Sequence, residues 1–431
     1  MRICHISNSL PTYHYSWGGA EQACLRTANL LSKRNENIEN FVLSLSPIRE
    51  VKENFRFFSV PVIEKFLPKF LANSISSLKS YFFPFDPLAF RFFDKFFKEQ
   101  KPDIVHLHKF SILSFATISA AKKNKIPVIH SIYDYWIFCP LGFCWKIEDF
   151  YTYEGSPCDA YQGSQCLGCI EKARKTNFFS KIFLKIVLPL RKKLFDRYIK
   201  KIDKFIILSE TNRKILLNYG IPEEKIVVVP LPFPFQEDFK IKPEEIDKNT
   251  ILYLGSLHPH KGPLVAVDAL KYVVEEIPQA KLYMVIDKEA NDFVKERIRK
   301  NNLEKNIEIS IIRKKFEEGV REYLKRALVF IISEQGETTV PYTLIEGMAF
   351  AKGIVASNVS GCLDYIRDGQ NGFLAEYNNP QSYALKIIEF LKNPQLAFTL
   401  GQQAQEDIQK INSEERVGES LINLYKSLCQ K

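Results

Sequence analysis

The sequence predicts an α/β protein of two Rossmann-like, doubly wound domains facing each other across a cleft, and three observations predict it. The chain has 431 residues, 46% of them hydrophobic, whereas a single core rarely grows past roughly 250–300 residues. Strand-like apolar runs alternate with amphipathic helical segments in both halves, the rhythm of parallel βαβ units. Between the halves stands Pro230-Leu231-Pro232-Phe233-Pro234-Phe235, too rich in proline for a helix or a central strand.

In the first half, residues 2–8 read as a strand and 20–33 as a helix, with Leu25, Ala28 and Leu31 at helical spacing. Further strands are expected at 41–45, 103–108, 128–133, 205–209 and 226–229. One helix is expected around 113–123, and another ends at Tyr219 with Gly220 as its stop. The second half gives strands at 250–254, 281–286, 307–312, 328–333 and 353–357. Its helices are expected at 263–274, 316–327 and 342–350, with a helical tail from 380 onward. The expected domains are therefore 1–229 and 236–408 around a linker at 230–235, with a C-terminal helix, 409–431, packing back on the first domain. A ligand would bind at the carboxyl ends of the strands, in the crevice.

Net charge is +10, and residues 172–204 alone carry twelve Lys or Arg against Asp196 and Asp203. The rest of the chain is neutral, so one basic surface is expected rather than a generally cationic protein. No recognised nucleic-acid motif accompanies it, which argues against that class of partner. The opening Met1-Arg2-Ile3-Cys4-His5-Ile6 enters a strand-like run without the apolar stretch of a signal peptide. No apolar run reaches the roughly 18–20 residues of a spanning helix. A cytoplasmic protein is expected, with peripheral contact at the inner face of a membrane, its nine cysteines reduced.

Three motifs face phosphate chemistry. A strand ends in Gly255-Ser256-Leu257-His258-Pro259-His260-Lys261-Gly262-Pro263, and a helix follows. Glycines let the backbone approach a phosphate, Lys261 supplies a point charge, and Pro263 suits a first helical turn. A plain strand–loop–helix turn with a surface lysine is the alternative. Gly18-Gly19-Ala20-Glu21 precedes the first helix, where amides face anions, although a tight turn explains a Gly-Gly equally well. Glu346, one turn into the helix of Tyr342-Thr343-Leu344-Ile345-Glu346-Gly347-Met348-Ala349, is suited to accept from both hydroxyls of a ribose; it also suits the helix dipole.

Taken in order, these pieces resemble glycosyltransferase family 4, retaining enzymes of the GT-B fold. The resemblance also rests on Pro102-Asp103-Ile104-Val105-His106-Leu107-His108, Tyr133-Asp134-Tyr135-Trp136 and Asp368-Gly369-Gln370-Asn371-Gly372, and spans nearly the whole chain. It implies transfer of a sugar from a nucleotide-diphosphate donor to a glycan or lipid-linked acceptor, with configuration retained and no metal or other cofactor needed for catalysis. Donor binding is implied for Gly18, Gly19, Gly255, Ser256, Lys261, Thr338, Leu344 and Glu346. Lys261, Glu337, Tyr133 and Asp134 are implied for catalysis, and His106, His108 and Trp136 for the acceptor side, although His106 and His108, at a strand end, equally suit a core or capping role. Fixed positive groups on a departing diphosphate are an electrostatic form of catalysis.

Three positions depart from the family. Ser256 stands where an arginine is usual, leaving Lys261 as the chief cation. Thr338 holds the earlier slot of a glutamate pair spaced by eight, with Glu337 one position off. Tyr133 replaces a histidine. These departures keep open a degenerate member that binds nucleotide sugar without turnover, beside a GT-B epimerase or phosphorylase.

Five cysteines fall in the insert 139–169. Cys166-Leu167-Gly168-Cys169 has the spacing of a metal knuckle, which Cys139, Cys158 or Cys144 would complete. A structural zinc or iron–sulfur site is the candidate, and incidental free thiols are the alternative. After it, Phe178, Ile182, Ile186, Leu190, Leu194 and Tyr198 recur every four residues opposite Lys and Arg, with Pro189 expected to kink or interrupt the helix. Such a basic amphipathic helix suits an anionic membrane, or packs on the core with a solvated charged face. The aromatic stretch 66–97 suggests an apolar acceptor groove or a helical insertion.

Overall fold

Each half of the chain builds one parallel sheet. The computed structural model describes all residues except 15–17, 35–36, 69–70, 73–74, 76–78, 80–84, 143, 150–154, 159–162, 164, 174–177, 236–238, 240–244, 287–291, 313–315 and 431. The first half supplies β1 (Arg2–Ser7), β2 (Glu39–Ser44), β3 (Arg56–Ser59), β4 (Ile104–Lys109) and β5 (Val128–Ser131). Past an antiparallel hairpin of β6 (Trp145–Ile147) and β7 (Gly155–Pro157) come β8 (Lys204–Ile207) and β9 (Ile226–Val228). The sheet order is β3-β2-β1-β4-β5-β8-β9. The second half supplies β10 (Asp247–Leu254), β11 (Lys281–Ile286), β12 (Ile307–Ile311), β13 (Ala327–Ile332), β14 (Gly353–Ser357) and β15 (Phe373–Ala375), ordered β12-β11-β10-β13-β14-β15.

The strands read as near-continuous apolar runs because helices cover both faces of a parallel sheet. In the first sheet Ile3, Ile104, Ile129 and Ile206 face Leu30 and Leu31 of the helix Gly19–Lys33, with Val417, Leu421 and Tyr425 of the helix Glu414–Cys429. The opposite face packs Cys4, Ile6, Val105 and Leu107 with Phe93, Phe96 and Phe97 of the helix Pro87–Gln100. In the second sheet Ile251, Met284, Val329 and Val355 pack with Val267 and Leu270 of the helix Pro263–Glu276 and with Tyr383 and Ile387 of the helix Pro380–Lys392. In both sheets the winding reverses beside the first strand, between β1 and β4 and between β10 and β13. Ligands of such folds bind outside the carboxyl ends at this switch point.

The chain forms two units, one of Met1–Cys144, Cys158–Phe233 and Glu414–Lys431, the other of Trp145–Pro157 and Pro234–Ser413. The β6–β7 hairpin, expected in the first domain with the rest of the cysteine insert, belongs to the second unit. There the Trp145 ring lies 5.3 Å from that of Tyr377, whose hydroxyl donates to the Gly155 carbonyl at 3.3 Å.

The helix Phe178–Ile199 runs through Pro189 without interruption. Of the aromatic stretch 66–97, the part from Pro87 on is a core helix and no groove; 69–70, 73–74, 76–78 and 80–84 lie outside the described residues. The edge strands β3 and β15 and the helix Asp292–Lys300 were not anticipated.

Candidate active site

In the second unit the carboxyl ends of β10 and β13 are pressed together by a glycine. Gly262 has φ 63°, and a Cβ there would stand 1.8 Å from the Ser333 carbonyl oxygen, so only glycine fits. The Ser333 hydroxyl lies 2.9 Å from the Gly262 carbonyl oxygen and 3.2 Å from that of Lys261, while the Gln335 amide donates to the His260 carbonyl at 2.7 Å. The Tyr253 hydroxyl closes the loop from below, 2.8 Å from the Ser256 carbonyl oxygen.

This packing brings Lys261 Nζ to Glu334 Oε1 at 2.6 Å, immediately before the first turn of the 14-residue helix Pro263–Glu276. The Glu334 side chain is 4% exposed and that of Lys261 33%. Burial raises the Glu334 carboxyl above its usual range, with Lys261 pulling the other way. Burial, with Lys261 and His258 adding to it, pushes His260 far down, so its ring is neutral.

Behind this loop, Gly347 lets the helix Tyr342–Ala349 lie directly on β13, since a Cβ would stand 2.2 Å from the Phe330 ring. Glu346 is thereby buried to 5% exposure. Glu337 and Thr338 are half-buried in the preceding loop. Leu344, expected among the donor contacts, is fully buried in the core; its side chain fills the interior, which leaves only its backbone for a ligand.

In the first unit the corresponding ends carry a second charged group. Gly18 and Gly19 are exposed at the start of the helix Gly19–Lys33, and the Gly18 amide donates to Glu21 Oε2 at 2.9 Å. Burial raises the Glu21 carboxyl, opposed by Lys109 at the end of β4. Lys109 Nζ is bonded to Asp134 Oδ2, and Asp134 Oδ1 accepts from the Trp136 amide at 2.9 Å. Burial works against the Asp134 charge, but Lys109 and the Trp136 amide outweigh it and hold the carboxyl below its usual range.

Residues 17–236 match the model of Glycosyltransferase Family 4, and residues 234–407 that of Glycosyl transferases group 1. The chain belongs to glycosyltransferase family 4. Among family relatives, an uncharacterized glycosyltransferase of Methanocaldococcus jannaschii is 34% identical over 176 residues, 40% of this chain and 47% of that one. The poly(ribitol-phosphate) alpha-N-acetylglucosaminyltransferase of Staphylococcus aureus is 26% identical over 231 residues, 53% of this chain and 44% of that one. The chain thus spans about half the length of the curated relatives it matches. Among solved structures, Anabaena HepE in complex with UDP-glucose superposes with a TM-score of 0.69 at 16% identity, covering 99% of this chain and 100% of that one. The fold is therefore GT-B.

Within this family-4 chain, the two histidines expected on the acceptor side are buried, and Trp136 is half-buried beside Asp134. His106 and His108 lie on β4, and His106 Nδ1 meets the Tyr425 hydroxyl of the helix Glu414–Cys429 at 2.8 Å. Trp136 is wedged among Phe110, Phe115 and Phe195 at centroid distances of 5.4–5.7 Å, a packing role. Tyr133 is half-buried, with its hydroxyl 3.1 Å from His108 Nδ1.

The cysteines of the insert are unbridged; Cys139, Cys144 and Cys166 are buried, Cys158 and Cys169 half-buried. Burial and then the nearby thiols of Cys139, Cys158 and Cys169 push Cys166 up to about 12, with the fully buried Arg191 opposing. The tightest metal-capable group among the described residues is instead His5, His106 and His108. Sequence reasoning missed Glu334, Lys109 and His5. Each was detectable as a charged or polar residue in or just past a central strand.

Proposed function

We propose that the chain moves a sugar from a nucleotide-diphosphate donor to a glycan or lipid-linked acceptor. The configuration is retained and no metal is required, in assembly of a surface polysaccharide or related glycoconjugate. The observation that carries this is Lys261, held by Glu334 at a helix start where the second sheet reverses. A diphosphate there meets a fixed cation and aligned amides, with Glu346 for the ribose. Family membership, the UDP-glucose held by HepE and the poly(ribitol-phosphate) in the Staphylococcus aureus relative's name all support the reading.

The helix Phe178–Ile199 supports peripheral contact with an anionic membrane. Phe178, Phe179 and Ile186 are 71%, 80% and 68% exposed on it, and Lys185 and Lys193 are exposed along the same helix. No described helix is long and apolar enough to cross a membrane. Flotation with anionic vesicles at low salt should recover the protein; its absence from the vesicle fraction would remove this part.

The central test is a thermal-shift panel of nucleotide-diphosphate sugars. One donor should stabilise the wild type, and Lys261→Ala and Glu346→Ala should each lose that shift. Unchanged shifts in both variants would remove the site. Turnover that persists in EDTA, and product NMR showing the donor's anomeric configuration, check the chemistry.

A further inference from the structure

Three histidines lie on one face of the two central strands of the first unit. β1 and β4 are neighbours with His5 opposite His106, and His108 follows two residues on. All three are buried, and one ring nitrogen from each lies within 4.8 Å of the other two. Buried polar rings need partners, and here the partners fall into two sets.

One nitrogen of each ring is tied to a group outside the cluster. His5 Nε2 is 3.2 Å from Asn40 Oδ1, His106 Nε2 is 2.8 Å from the Ser131 hydroxyl, and His108 Nδ1 meets the Tyr133 hydroxyl. The remaining three nitrogens meet only each other and one phenol. His5 Nδ1 and His108 Nε2 are 3.1 Å apart, and His106 Nδ1 is 2.8 Å from the Tyr425 hydroxyl of the helix Glu414–Cys429. A tetrahedral zinc ion with bonds of about 2.0 Å sets its ligands roughly 3.3 Å apart, close to both separations. Histidines that ligate a metal hold their second nitrogen to a neighbouring polar group, which fixes ring and tautomer; Asn40 and Ser131 stand in those places. Burial keeps the rings neutral, His5 falling to about 4 and His106 and His108 further, so an entering ion has no proton to expel from them.

We propose that His5, His106 and His108, with the Tyr425 hydroxyl oxygen in the fourth position, bind a structural zinc ion that staples β1 and β4 to the helix Glu414–Cys429. Four protein ligands close the site, so the ion keeps no water and takes no part in sugar transfer. The inference is independent of that reading. On binding, the Tyr425 proton leaves to solvent and the phenolate offsets one charge of the buried dication. The His5–His108 hydrogen bond is the contact given up.

Zinc retention by the full chain tests it, in a Cys166→Ser, Cys169→Ser background that removes the cysteine knuckle. After incubation with zinc and gel filtration, about one ion per chain should remain, and X-ray absorption should show nitrogen and oxygen at about 2.0 Å with imidazole scattering and no sulfur. In the same background His108→Gln should abolish retention, while Asn40→Leu, which touches only an outer nitrogen, should weaken affinity roughly 10–100-fold. If the cysteine background fails to fold, the wild type carries the test. Added zinc should raise its thermal midpoint by roughly 5 °C, and Tyr425→Phe, which keeps the ring in the core, should lose most of that rise. No retained zinc, a sulfur shell in the knuckle-free protein, retention unchanged by His108→Gln, or an equal rise in Tyr425→Phe overturns the proposal.

Discussion

The buried histidines make the first unit acid-labile well above the range in which carboxylates titrate. Burial lowers His5 and His130 from 6.5 to about 4, the latter against the opposing pull of the Leu107 carbonyl and Asp134; His106 and His108 fall further. On unfolding each ring regains its ordinary basicity. The sign follows: above 6.5 neither state binds the proton, and nothing is lost. As pH falls from 6.5 toward 4 the unfolded chain takes up protons that the folded one refuses, so stability drops. At pH 5.5 each ring contributes a loss of about 1.4 kcal/mol, or about 6 kcal/mol for the four. Glu21, whose carboxyl is raised, pulls the other way, so the clean test is a difference.

Urea unfolding, followed through Trp136 in the same unit, should therefore be compared at pH 7.5 and 5.5 for wild type and His130→Gln. Glutamine can still donate to the Leu107 carbonyl, which His130 Nδ1 meets at 3.1 Å. The variant should recover about 1.4 kcal/mol of the acid-induced loss. Equal losses in the two proteins would refute the reasoning.

Glu334→Gln removes the negative charge that competes for Lys261, so UDP should bind roughly 3–10-fold more tightly; weaker binding would show that the carboxylate is needed to aim the lysine. When an anion draws Lys261 away, the already raised Glu334 should take up a proton, which calorimetry in buffers of different ionisation enthalpy detects and Glu334→Gln abolishes. Gly262→Ala should cost about 2–4 kcal/mol through the positive φ and the clash with Ser333, read as a lower midpoint in thermal melts. If Cys139, Cys158, Cys166 and Cys169 hold a structural zinc or iron–sulfur group, protein purified without chelator should carry about one site per chain, and elemental analysis finding neither zinc nor iron would leave the thiols free.

The elements were legible where period and length agree. The strands at 281–286 and 353–357 were read to the residue, because each is a short apolar run between breakers. The edge strands escaped because they are short: Arg56–Ser59 has only two half-buried residues between exposed ends, and Phe373–Ala375 is three residues long, too little for a periodic signal. The site was legible as a set of loops but less so as contacts. Glu334 stands outside the eight-residue spacing from Glu346, and its pairing with Lys261 comes from β13 lying beside β10, a relation of topology. The resemblance implies the acceptor side for His106 and His108; the burial of His106 involves the distant Tyr425, 319 residues on, which no local pattern shows.

The same physical device recurs in both units. Lys109 is tied to Asp134 with Glu21 nearby, and Lys261 to Glu334, each next to a glycine-led helix start at the reversal of its sheet. A helix start already carries partial positive charge, so a lysine beside it without a counter-ion would be repelled into solvent. The carboxylate holds the cation in place while no ligand is there. On the proposed function, an entering diphosphate would displace an internal anion rather than meet a bare cation, and its net gain would be the difference between two pairings. The arrangement thus gives up ground-state affinity for a cation already aimed, and charge stabilisation is worth most when it requires no rearrangement as the phosphate departs.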